Sequence, residues 1–67
     1  MVKIECLDDL KTYMDKFGVK QSWCAQAANI SDAKLTKALK GEFRLKQSEF
    51  NKIEREINNN LIEFIHQ

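Results

Sequence analysis

The side chains of this chain able to do chemistry are two cysteines, one histidine, ten carboxylates and eleven lysines or arginines, and their spacing decides what each can do. Cys6 and Cys24 form no CxxC pair, and His66 stands in the tail, so no spacing suited to zinc exists. Reduced structural thiols are the expected role of both cysteines. The acidic pairs, Asp8 with Asp9 and Glu54 with Glu56, neighbour no base, nucleophile or pocket-building loop. No enzyme, metal or cofactor is expected. The cations remain, and they are unevenly placed. Residues 1–20 balance to zero, whereas residues 31–46 set Lys34, Lys37, Lys40, Arg44 and Lys46 against Asp32 and Glu42, a net of +3. The stretch from residue 47 onward nets −2, so a formal charge of +1 conceals a polarised molecule.

The elements that must carry this basic segment can be read from periodicity. A length of 67 residues bounds the chain to one domain, 1–67, near the size where a lone core is marginal. Without Pro, with two Gly and with many Leu, Ile, Ala, Lys, Glu and Gln, the composition favours an all-α fold. No apolar run approaches the roughly 18 residues of a membrane span, and MVKIECLDD lacks a signal-peptide core. A soluble, cytoplasmic protein with no membrane partner is expected.

Leu7, Leu10, Met14 and Phe17 mark a first helix from about Cys6 to Phe17, closed by Gly18. A second helix follows from about Lys20 to Ala28, with Cys24, Ala25 and Ala28 on one face and Asn29 as a left-handed stop. Ser31 caps a third helix, Asp32 to Lys40, closed by Gly41. Its Leu35, Ala38 and Leu39 share a face, opposite Ala33, Thr36, Lys37 and Lys40. Phe50, Ile53 and Ile57 line a fourth helix from about Gln47 to Ile57. The asparagines 58–60 predict a break, with Asn60 capping a short fifth helix that buries Leu61, Phe64 and Ile65. A helix continuous to the end keeps the same period and is the alternative.

Two helices joined by a short turn, with an alanine where they cross, have the geometry of a helix-turn-helix. The run Gln21, Ala25, Asn29, Ile30, Ser31, Leu35, Ala38, Leu39 and Gly41 resembles the DNA-binding core of the phage Cro and repressor family, over about residues 6–57. Two departures are Asn29 in place of the usual Gly, and Ala28 where a larger Leu or Ile is common. The resemblance implies a compact four- or five-helix, lambda repressor-like domain, with the helix-turn-helix at about 20–40. It also implies a transcription regulator that binds a palindromic operator in double-stranded DNA as a homodimer. Ser31, Asp32, Ala33, Thr36 and Lys37 would then read bases in the major groove. Lys37 suits guanine O6 and N7, Thr36 a hydrogen bond or a thymine methyl, and Ala33 apolar contact alone. Gln21, Lys34, Lys40, Arg44 and Lys46 would hold phosphates. The tail, 58–67, would carry the dimer through Leu61, Ile62, Phe64 and Ile65.

Trp23 fits this scheme least, because a 100° step per residue turns it away from the expected core. One reading lays its ring over Val2 to Ile4 or a neighbouring loop. Another makes it a contact for a protein partner, since tryptophan is enriched at binding hot spots. The alternative function follows from that: a small phage protein-interaction module that uses the same fold to bind a host or phage regulator.

Overall fold

Three residues with left-handed backbones, Gly18 (φ 65°), Asn29 (φ 60°) and Gly41 (φ 83°), set where the first three helices stop. The structure, a computed structural model, describes residues 2–61. Its elements are α1 (Leu7–Phe17), α2 (Gln21–Ala28), α3 (Asp32–Leu39) and α4 (Gln47–Asn59), an all-α architecture. Each left-handed residue lets the next amide fold back onto the last turn: Val19 donates to the Met14 carbonyl at 2.9 Å, Ile30 to Ala25 at 2.9 Å and Glu42 to Lys37 at 2.8 Å. Val19 and Ile30 then turn their side chains onto the core. Asn29 serves where Gly is usual because asparagine tolerates this conformation better than other side chains do.

Ile4, Leu10, Cys24, Leu35, Ile53 and Ile57 form the fully enclosed centre. Around it lie Ala25, Ala28 and Ala38, at most 2% exposed, which allow α2 and α3 to approach closely. α2 packs on both α3 and α4, and α1 also touches α3. No helix among the described residues is long and apolar enough to cross a membrane.

Two boundaries differ from the periodic reading. α3 ends at Leu39, with Lys40 as its C-cap, because Gly41 turns the chain one residue later. α4 runs past Ile57 to Asn59, and the break falls at Asn60, whose φ of −113° leaves the helix. Asn60 closes α4, its side-chain Nδ2 donating to the Glu56 carbonyl at 2.8 Å. Of the proposed fifth helix and dimer tail, residues 62–67 lie outside the described residues, and Leu61 packs half-buried against the core.

Asn58 stays helical because its side chain has other work. Its Oδ1 accepts from the Val2 amide at 2.9 Å, and its Nδ2 donates to the Val2 carbonyl at 3.1 Å. One turn earlier, Glu54 Oε1 accepts from the Ile4 amide at 2.8 Å. Residues 2–5 therefore lie extended along α4. Val2 and Ile4 point into the core while Lys3 and Glu5 face out, the alternation of a strand. Two side chains of a helix thus replace the neighbour strand that an extended segment otherwise needs.

The two thiols occupy opposite environments. Cys6 is exposed at the N-cap of α1, whereas Cys24 is buried and its thiol is pushed up from 9.0 to about 11 by desolvation. Iodoacetamide at pH 8 should therefore label Cys6 alone in the native protein and both thiols in denaturant, counted by intact mass. Deprotonation favours the unfolded chain, in which the thiol titrates near 9.0, so Cys24 holds its full stabilising effect below that pH and loses it as pH rises toward 11.

Candidate nucleic-acid interface

α3 is fixed at its start by Ser31, whose Oγ accepts from the Lys34 amide at 3.1 Å. Leu35 and Ala38 hold it to the core at 0% and 1% exposure. The opposite face stands clear: Ser31, Asp32, Ala33, Lys34, Lys37 and Lys40 are all exposed, and Thr36 is half-buried. Arg44 and Lys46 follow on the connecting loop, both exposed and separated by the buried Leu45. Nine of the ten sequence-assigned residues thus lie on α3, at its ends or on the loop that follows, and Gln21 reaches α3 from α2; Arg44 lines a pocket with Glu5, Ala38 and Phe43.

The flanks differ in chemistry. On the side toward α2, Gln21 Nε2 donates to Thr36 Oγ1 and, at 3.4 Å, to the Asp32 carbonyl. Thr36 Oγ1 itself donates to that same carbonyl at 2.9 Å. The amide assigned to a phosphate thus turns onto α3 and locks the two helices together. The backbone at this end of α2 has no side-chain cap, because Lys20 occupies the N-cap position. Its first-turn amides are the part of Gln21's neighbourhood suited to an anion. On the other side, Lys34 Nζ sits over the Phe43 ring, 4.8 Å from its centroid.

Among the described residues the sole ion pair joins Lys3 to Glu5 at 3.8 Å, so no carboxylate is within ion-pair reach of Lys34, Lys37, Lys40, Arg44 or Lys46, although Asp32 shares their face and Glu5 and Glu42 line a pocket with Arg44. The backbone of the loop is held at Lys46. The Lys46 amide donates to Glu49 Oε1 at 2.8 Å, and Glu49 is 8% exposed. A glutamate three residues after an N-cap is the sequence signal that reveals this bond. Phe43 carries no such signal, since it belongs to no periodic stripe. Trp23 packs half-buried against the core.

No protein-family model, curated protein or solved structure matches the chain. The class of protein follows from the fold: a small all-α domain whose second and third helices form a helix-turn-helix-like pair.

Proposed function

We propose that the protein is a sequence-specific DNA-binding regulator of transcription, with α3 as the helix that enters the major groove. The observation that carries this reading is the bare outer face of α3. Ala33, Lys37 and Lys40 stand free while Leu35 and Ala38 anchor the helix from behind. A ridge of small and cationic side chains on a rigid helix fits a groove about 12 Å wide. Ser31, Asp32, Ala33, Thr36 and Lys37 lie nearest the bases, and Asp32 serves as an acceptor for cytosine N4 or as a first-turn anion. Lys34, Lys40, Arg44, Lys46 and the amides at Gln21 meet phosphates. Binding to a palindromic operator uses a homodimer.

Selection from a random duplex library at two salt concentrations tests the reading. The expected result is an enriched palindrome, with Lys37→Ala weakening binding by about 5- to 150-fold and relaxing one base position, the loss of about 1–3 kcal/mol that a base contact carries. Absence of any enriched sequence, with no loss on Lys37→Ala, overturns it in favour of a protein-binding module using Trp23.

A further inference from the structure

From the hydrogen bonds around Thr36 we infer that this residue donates to no base and reads DNA through its methyl group, and that the preferred site carries a thymine whose 5-methyl meets it. The inference rests on the proposed placement of α3 in the major groove. A threonine hydroxyl has one proton to give and two lone pairs to receive with. In this protein the proton is committed to the Asp32 carbonyl at 2.9 Å, and Gln21 Nε2 fills an acceptor position. Gln21 also reaches the Asp32 carbonyl at 3.4 Å, so the three groups form one closed network between α2 and α3.

A base that needed a donor from Thr36 would have to break that network, and the Asp32 carbonyl would lose the nearer of its two side-chain donors. The γ-methyl makes no such demand. Ala33, exposed and three residues earlier, lies on the same side of the helix, where Cβ atoms stand roughly 5–6 Å apart. Together the two present a small apolar strip beside Lys37. Among the base edges in the major groove, the thymine methyl is the apolar feature. Lys37 supplies donors for a neighbouring guanine, so the strip and the cation divide the reading between them. Gln21 becomes a positioning residue: it touches no base and fixes which end of Thr36 does.

The test uses the duplex enriched by selection, with each thymine replaced in turn by deoxyuridine, which removes the methyl and leaves the pairing intact. For the parent protein, one position in each half-site should weaken by about fourfold, the scale of one buried carbon. Thr36→Ser keeps the hydroxyl network and removes the methyl, so it should bind the thymine and deoxyuridine duplexes equally at that position. Thr36→Val keeps the methyl and should retain the preference. Thermal melting of both variants checks that each is folded. A parent that is indifferent to every deoxyuridine substitution overturns the inference while leaving the DNA-binding reading intact, and so does a preference that persists in Thr36→Ser. Failure to enrich any duplex overturns both.

Discussion

Ile4→Ala is expected to lower the unfolding free energy by about 2–5 kcal/mol, the range found when a buried isoleucine is cut to alanine. Ile4 is fully enclosed although it belongs to no helix. A core built from fewer than 70–80 residues supplies only about 3–5 kcal/mol in total, so this one truncation removes most of it. The loss has two physical parts: apolar atoms return to water, and a void opens in the core. The Ile4 amide keeps its bond to Glu54 in the variant, so packing is the quantity being measured. Urea and thermal denaturation followed by circular dichroism should show a melting temperature at least about 8 °C lower, and a population partly unfolded at 37 °C. Lys3→Ala, at an exposed neighbour, should stay within about 0.5 kcal/mol of the parent. If Ile4→Ala behaves like Lys3→Ala, residues 2–5 do not pack against α4.

That contrast marks the boundary of what could be read from the residues. The helices were legible because their signals are local. Apolar residues recur every three or four positions, Ser31 stands before α3, and Gly18, Asn29 and Gly41 each sit where a chain must turn left-handed. The extended segment 2–5 was not legible. Val2 and Ile4 give only two inward positions, too few for a period, and their hydrogen-bond partners lie 50 and 56 residues away on α4. Asn58 misled for the same reason. An asparagine run normally argues for a break, yet here one amide is occupied by a distant backbone and α4 continues through it. At the interface, the faces of α3 followed from the helical step alone, and the exposed cations fell where charge counting placed them. Gln21 did not. Its type and position were right for a phosphate, but a side chain of that length also reaches Thr36, and only the crossing of α2 over α3 reveals that.

The largest effect on DNA binding should come from the cations jointly, and it should be read as a salt dependence. Lys34, Lys37, Lys40, Arg44 and Lys46 surround α3 without an ion-pair partner among the described residues, so each is available to displace a counterion from the duplex. With Lys34, Lys40, Arg44 and Lys46 on phosphates and Lys37 on a base, log affinity should fall against log salt with a slope of about −3.6 per subunit, which weakens binding by about 150-fold between 50 and 200 mM. Arg44→Ala, Lys46→Ala and Lys40→Ala combined leave Lys34 alone on a phosphate. The slope should then be about −0.9 and the loss over the same range about 3.5-fold. Fold is preserved in that variant because all three side chains are exposed and Leu45, between two of them, is untouched. The slope separates this mechanism from its rival more cleanly than affinity does. Lysines that merely solvate the surface leave the slope near zero in parent and variant alike. Lys37 turned to a phosphate rather than a base makes the parent slope steeper by about 0.9 while leaving the difference between parent and triple variant unchanged. Fluorescence anisotropy of a labelled duplex across a salt series measures both slopes, and equal slopes would remove the basic face from any account of what this helix is for.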